Sequence, residues 1–295
     1  MADQTGQMFP APSLCAATEQ AQAASRLAAE SAGVRVGNEV TLRGFGEIET
    51  LFNTVWLLPP GESAIPTELL RSISHAGCNV TFARDESGRL VGAAAAIVTP
   101  QSASMYSLIA GVLPGIADRG VGFALKQHQR AWALERDLTE MTWTFDPLVS
   151  RNARFNLTKL GAQSSEYAVD FYGPMQGDMN ANDESDRLVA VWQLLGEESA
   201  ACSEDRPVAV DRPEFGPEDV LRFGPDDKPA LVAVEDILWC RVPTDIVALR
   251  GSNPSAAARW RRSIRSVLTD AFASGHIARG VSRDGWYRLV PGGTA

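Results

Sequence analysis

"GVLPGIADRGVGFALKQHQRAW", residues Gly111 to Trp132, is the stretch on which the fold turns. An apolar, strand-like run reaches Pro114, a turn carries Gly115, Gly120 and Gly122, and a helix-like segment follows. A helix N-terminus offers N–H groups without intrahelical partners and the positive end of the helix dipole. Gly120 and Gly122 carry no side chain, so an anion can approach the backbone there, and Gly120 is free to take a positive φ. The turn reads as a pyrophosphate cradle. A tight strand-to-helix turn that binds nothing is the other reading of the same residues. It is not a nucleoside-triphosphate loop, because no Gly-Lys-Ser/Thr follows, and it lacks the spacing and the acidic residue of a dinucleotide fingerprint.

Upstream, "EVTLRGF" (39–45) reads as a short strand, and "GEIETLFNTVWLL" (46–58) carries Ile48, Leu51, Phe52, Val55 and Trp56 at helical spacing. "TELLRSISHAG" (67–77) reads as a second helix with Thr67 as its cap. "CNVTFARDESGRLVGAAAAIVTP" (78–100) reads as two strands joined by a turn at Asp85 to Gly88. The small residues of "GAAAAIV" suit a strand that another element packs on closely. Downstream, the helix after the glycine turn has Phe123, Leu125, Ala131 and Leu134 on an apolar stripe, with Lys126, Gln129, Arg130 and Arg136 as polar positions around it. "MTWTFDP" (141–147) is a strand stopped by Pro147, "SRNARFNLTKLG" (150–161) a helix stopped by Gly161, and "SSEYAVDFYG" (164–173) a further strand. This order predicts an α/β fold, a mixed sheet flanked by helices.

Three parts follow. An Ala-rich N-terminal segment, 1–37, contains one helix whose apolar positions are nearly all alanine, and no chemistry is assigned to it. A domain spans 38–175. A C-terminal extension of α+β character spans 176–295. In the extension, "RLVAVWQL" reads as a strand, "GEESAACSEDRP" as a loop and "IARGVSRDGWYRLVP" as a closing hairpin. "NPSAAARWRRSIRSVLTDAFASGH" is a helix with Trp260, Ile264, Val267 and Leu268 on one face. Arg259, Arg261, Arg262 and Arg265 lie off that face, where a solvated basic surface outweighs an anion site.

The chain has 295 residues and a formal net charge of −9, which argues against nucleic acid or a membrane surface as partner. No apolar run is long enough to span a bilayer, no basic region precedes the first apolar stretch, and Pro10 and Pro12 interrupt it; a cytoplasmic protein is expected. Cys15, Cys78, Cys202 and Cys240 are too far apart to suggest a metal knuckle or a disulfide framework. His75, His128 and His276 are scattered, so no metal is expected.

"VLPGIADRGVGFALKQHQRAWAL" and "SRNARFNLTKLGA" together resemble the two acyl-CoA-binding motifs of the GNAT superfamily of N-acyltransferases. Ala117, Gly120 and Gly122 take the Arg/Gln, Gly and Gly positions of the first motif; the second is an asparagine-containing helix ending in "KLG". The likeness covers roughly 38–173, and "TWTFDPL", "YAVDFYG" and "DRLVAVW" look like a branch with a C-terminal extension. It implies acyl transfer from acetyl-CoA or another short acyl-CoA to the amine of a small molecule, by direct attack and without a metal. It also implies strands that part on either side of the glycine turn. The pantetheine arm would pair with backbone near Gly111, Val112 and Leu113, and the pyrophosphate would meet the amides of Asp118, Arg119, Gly120, Val121, Gly122 and Phe123. Arg119, Lys126 and Lys159 are candidates to screen phosphate charge. Asn152 and Asn156 are candidates for pantetheine amides, and Phe155 for core or channel wall.

Two residues depart from the pattern. Ala117 lacks the usual side chain, and Leu157 stands where many relatives carry the tyrosine that protonates the leaving thiolate. Tyr167 and Tyr172 are candidate substitutes, or core and rim aromatics. Asp146, at the end of its strand, is the candidate base, or equally an acceptor-binding group or a helix cap. The extension either completes the acceptor site or forms an oligomer interface, as in a homodimer. A non-catalytic acyl-CoA-binding protein of the same fold is the alternative function.

Overall fold

The computed structural model describes residues 14–99, 103–173, 183–207 and 209–293. Residues 1–13 of the N-terminal segment, and most of the polar stretch that opens the extension, lie outside the described residues. The structure is α/β: a seven-stranded mixed sheet flanked by helices, and a second, antiparallel sheet in the C-terminal region.

The first sheet runs β1 (Val34–Asn38), β2 (Asn79–Asp85), β3 (Leu90–Thr99), β4 (Ser104–Val112), β5 (Glu140–Phe145), β7 (Arg187–Gln193), β6 (Tyr167–Ala168) in spatial order. Every pairing is antiparallel except β4 with β5. That parallel pair is short: Ser104, Met105 and Tyr106 oppose Glu140, Met141 and Thr142, and no register continues beyond. On its other side β4 follows β3 to Val112, with a bulge opposite Ala95 and Ala96. The strands therefore part after Tyr106, and one edge of β4 stays open.

Helices α2 (Leu42–Val55) and α3 (Thr67–His75) share one apolar cluster with β2, β3 and β4. Helix α4 (Val121–Leu134) packs on β3, where an added Cβ at Gly92 would lie 3.0 Å from Val121 and 3.2 Å from Leu125. Ala93 to Ala96 are fully buried, so the small-residue strand is closely covered, as its sequence suggested. Helix α1 (Leu14–Ser31) lies along α4 through Ala17, Ala21, Ala24 and Ala28. Alanine lets two helix axes approach, and the cover leaves α4 buried nearly all round. Of the positions that periodicity marks as polar, Lys126, Gln129 and Arg130 are buried, as is Gln127, while Arg136 lies beyond the helix and is exposed. The N-terminal helix and strand belong to the main layer, so residue 37 is no structural boundary.

Nor is residue 175, because β7 completes the first sheet. The second sheet runs β11 (His276–Val281), β12 (Trp286–Pro291), β10 (Ile237–Arg241), β9 (Pro229–Val234), β8 (Val220–Phe223), with α8 (Pro254–Ala273) packed against β10 and β11. One apolar core, including Trp143, Trp192, Leu160, Trp260, Ile264 and Tyr287, is continuous between the two sheets. Ser164, bridged to Ala278 next to the Gln163–Val191 bridge, stitches them together.

Several local expectations are corrected. "EVTLRGF" is no strand: the Glu39 carboxylate accepts from the Val40 and Thr41 amides, and Thr41 Oγ1 caps α2 by accepting from the Gly44 amide at 3.0 Å. Thr67 does not cap α3; its hydroxyl donates to Glu49. "SSEYAVDFYG" keeps only two strand residues, and "GEESAACSEDRP" contains a short helix, α6 (Glu197–Ser203).

Candidate active site

Where β4 and β5 part, a cavity of about 190 Å³ opens, lined by Ser107, Ala110, Gly111, Val112, Gly122, Lys126, Trp143, Thr144, Asn152 and Phe155 among others. It runs into a wider mouth of about 410 Å³ at the N-terminus of α4, lined by Asp118, Gly120, Gly122, Phe123, Arg151, Asn152, Arg154, Phe155 and Lys159. The two share Val112, Gly122, Asn152 and Phe155. Residues from both expected motifs thus meet on one cleft.

Gly120 adopts φ 86°, ψ −2°, a left-handed conformation that lets the chain turn directly into α4. The first bond of the helix ladder runs from the Ala124 amide to the Gly120 carbonyl at 2.9 Å. The amides of Val121, Gly122 and Phe123 precede that ladder and crown the positive end of the dipole. A Cβ at Gly122 would meet only ordinary contacts, 3.8 Å from Val112 and 3.9 Å from Phe155. The glycine is thus not demanded by packing; it keeps the cleft floor open. The expected cradle narrows on its N-terminal side, where the Arg119 amide is spent on the Ile116 carbonyl and its side chain is exposed. The Asp118 carboxylate pairs with Arg151 at 2.6 Å. The side chain of Ala117 lies outside the described residues.

The open edge of β4 is similarly selective. The Leu113 amide donates to the Val91 carbonyl of β3 at 2.9 Å, so it is not free for a ligand. Backbone N–H groups alternate along a strand, which turns those of Val112 and Ala110 to the parted side and that of Gly111 to β3. Gly111 instead gives room to α2: its Cβ would sit 3.1 Å from Trp56.

Helix α5 (Ser150–Arg154) continues as a π-helical turn, Phe155–Lys159, and brings Arg151, Arg154 and Lys159 to the mouth. Arg154 Nε is buried without a hydrogen-bond partner, a donor facing no described acceptor. Lys159 lies 5.0 Å from the Phe123 ring centroid. Thr158 anchors the segment to β11, accepting from the Val281 amide at 2.8 Å and donating to its carbonyl at 2.9 Å. The orphan amides of α4, the unpartnered Arg154 Nε and the surrounding cations fit a phosphate-bearing ligand. Arg151 and Arg154 were not singled out from sequence, although their spacing in "SRNAR" puts both on one helical turn beside Lys159.

Lys126 is not a phosphate screen. It is 5 % exposed and projects to the closed end of the cleft, where Nζ donates to Ser107 Oγ at 2.8 Å and lies 4.1 Å from the Trp143 ring centroid. Burial pushes its pKa down to about 7.

Asp146 is corrected as a candidate base. Its Oδ1 accepts from the Leu148 amide at 2.9 Å and from Arg261 at 2.8 Å; its Oδ2 accepts from Arg250 at 2.6 Å and Arg261 at 3.0 Å. Burial alone would raise its pKa, but the bonds and charges of Arg261 and Arg250 outweigh that and hold it at about 2. Both arginines also hold Asp183. The basic face of α8 is therefore partly internal: Arg261 is 1 % exposed, and Arg265 bonds Asp186 and Glu184. Tyr167 is tied up as well, donating to Asp186 at 2.6 Å; burial first, and that carboxylate next, push its pKa well above the ordinary value. Leu157 is buried in the core. Tyr172 is 49 % exposed, with its hydroxyl 3.2 Å from Thr144 Oγ1 and its ring under Arg187, beside Tyr106 on the β4–β5 surface.

No protein-family model matches the chain, and no curated protein matches it in sequence. Solved structures that it resembles include several acetyltransferases. They include a GNAT-family protein from Desulfovibrio desulfuricans (15 % identity, TM-score 0.45, 55 % of this chain and 99 % of that one). A ribosomal-protein alanine N-acetyltransferase from Escherichia coli is 12 % identical, with TM-score 0.44 over 55 % of this chain and 94 % of that one. YncA from Salmonella typhimurium, solved with its cofactor acetyl-CoA, is 14 % identical, with TM-score 0.45 over the same shares, 55 % and 94 %. At such distances the chemistry has to be argued from the cleft itself. No helix of the described residues is long and apolar enough to cross a membrane.

Proposed function

We propose that this chain is an acyl-CoA-dependent N-acyltransferase that moves acetyl or another short acyl group to the amine of a small molecule. The observation that carries this reading is the parted parallel pair. β4 and β5 separate after Tyr106, and the cleft between them leads to orphan amides at the N-terminus of α4. An extended arm with amides along it and phosphates at one end matches both features.

In this reading Val121, Gly122 and Phe123 hold the pyrophosphate through backbone N–H groups, with Arg151, Arg154 and Lys159 screening its charge. Val112 pairs with the pantetheine arm along the open edge of β4, and Asn152 and Phe155 form the opposite wall. The adjoining groove of about 550 Å³ between α1, α4 and α6, lined by Ala24, Leu27, Phe123 and Ser203, is the nearest room for the nucleotide end. Coenzyme A supplies the acyl group as a thioester, whose thiolate is a tolerable leaving group. No cysteine lines the cleft or its mouth, in keeping with direct attack by the amine. An N–H on the open edge of β4 is placed to hold a developing oxyanion. Tyr106, Thr144, Tyr172 and Arg187 form the surface beside the split from which an acceptor approaches.

The sequestration of Asp146 and Tyr167 favours a second reading, an acyl-CoA-binding protein without turnover. Melting the protein with and without coenzyme A tests what the readings share, and binding raises the melting temperature. Thiol release from acetyl-CoA across a panel of amines separates them. Tight binding with no turnover on any amine leaves only the second.

A further inference from the structure

Resting on the acyltransferase reading, we propose that Lys126 is the general acid that gives the departing sulfur its proton. Among the described residues lining the cleft between β4 and β5, Lys126 is the only one with an acidic or basic side chain. The alternatives are elsewhere: Leu157 is apolar, Tyr167 is bound to Asp186, and Asp146 is clamped between two arginines. Lys126 stands at the vertex, beside the last paired residues of the two strands. Ser107 Oγ accepts from Nζ at 2.8 Å and donates in turn to Gln129 Oε1 at 3.3 Å. An ammonium carries three protons. One goes to Ser107, a second points to the Met141 thioether at 3.8 Å, and the Trp143 face takes up part of the charge, which leaves the third donor for the cleft.

The groups at Nζ are the Ser107 hydroxyl from β4 and the Met141 thioether and Trp143 ring from β5, and the other polar side chains lining the cleft, those of Thr144, Asn152 and Asn156, are neutral. Burial is the one cause of its lowered pKa, so no described carboxylate or second cation acts on it. A lone buried ammonium is a costly feature, and groups of this kind concentrate at functional sites. With its pKa at about 7 it is a stronger acid than a thiol of about 8.5, so transfer to the thiolate runs downhill.

The step balances. The acceptor nitrogen bonds to the acyl carbon, the carbon–sulfur bond breaks with its electron pair going to sulfur, and Nζ–H protonates sulfur. The proton that the acceptor nitrogen loses restores the ammonium, giving amide and free thiol.

The chain contains three lysines, Lys126, Lys159 and Lys228, so carbon-13 labelling of lysine resolves each one by NMR. Titrating the wild-type protein with coenzyme A raises the midpoint of Lys126 by about half a pH unit, because a thiol sulfur that accepts from the ammonium favours its charged form. Desulfo-coenzyme A, which lacks the sulfur, does not. In Lys126→Met, coenzyme A still binds and raises the melting temperature. With the best amine of the panel, the variant's kcat falls about 100-fold and its pH profile loses the limb that declines above pH 7. Equal responses of Lys126 to coenzyme A and its desulfo form would overturn the proposal while leaving the acyltransferase reading standing. Failure of coenzyme A to bind, or binding with no turnover of any amine by the wild type, would end both.

Discussion

Lys126 and Arg261 are both buried cations that flank the same strand, β5, and the fold treats them in opposite ways. At the far end of the strand Arg261 lies between Asp146 and Asp183, with Arg250 completing a cluster of two carboxylates and two guanidiniums whose charges are paired. At the near end Lys126 has a hydroxyl, a thioether and an aromatic face, and no counter-ion acting on it. A buried charge that is fully paired holds parts of a protein in register. One left without a counter-ion is poised to meet charge that arrives or develops in the cleft. The two ends of β5 thus set a paired buried charge against one with no described counter-ion, and the contrast is open to direct test.

The largest effect belongs to the paired end. Arg261→Ala leaves Asp146 and Asp183 sharing one arginine in the interior and should cost about 3–5 kcal/mol in a urea melt. A loss under about 1 kcal/mol would mean that the network does not tie α8 to β5. Next comes the cleft floor. At Gly122→Leu the new Cβ meets only ordinary contacts and the residue lines the cavity, so the melting temperature should hold within a few degrees. Coenzyme A affinity, read by calorimetry, should meanwhile drop about 100-fold, or roughly 2.7 kcal/mol. Unchanged affinity would move the cradle elsewhere.

The unpaired end gives a pH signature. The folded pKa of Lys126, about 7, lies below its ordinary value, so the folded state releases a proton that the unfolded chain keeps. Its burial penalty is full below pH 7 and relaxes as pH rises. Relative to Lys126→Met, the wild type should gain about 2 kcal/mol between pH 7 and pH 9. A flat difference would mean that Lys126 is solvated or paired after all. The smallest effect is at the mouth. Arg151 and Asp118 are both exposed, so Arg151→Ala should change stability by less than about 0.5 kcal/mol. It should weaken coenzyme A about threefold to tenfold, by removing one cation near the phosphates, and that weakening should shrink in high salt.

Much of the binding end was legible in the residues. The positive φ of Gly120, the helix start at Val121 and the asparagine-containing helix ending at Gly161 depend on local sterics and capping, which short stretches encode. The small residues of β3 announced the close cover by α4 for the same reason. The chemical end was not legible. Asp146 looks free at the end of a strand, and its partners lie 104 and 115 residues further along the chain. Tyr167 is lost to Asp186 through the same cluster. Lys126 reads as a surface position by periodicity, because nothing in its neighbourhood shows that a thin alanine helix a hundred residues upstream will cover the opposite side of α4.

By itself the sequence determined an α/β chain with a left-handed glycine turn at a helix start and a second, asparagine-containing helix. Backbone conformation and helix ends are properties of a few consecutive residues. Which charged side chains became scaffold and which stayed available was decided by tertiary structure alone. Desolvation and ion pairing depend on what packs around a group from distant parts of the chain, and that environment gives Asp146 two arginines and Lys126 no counter-ion.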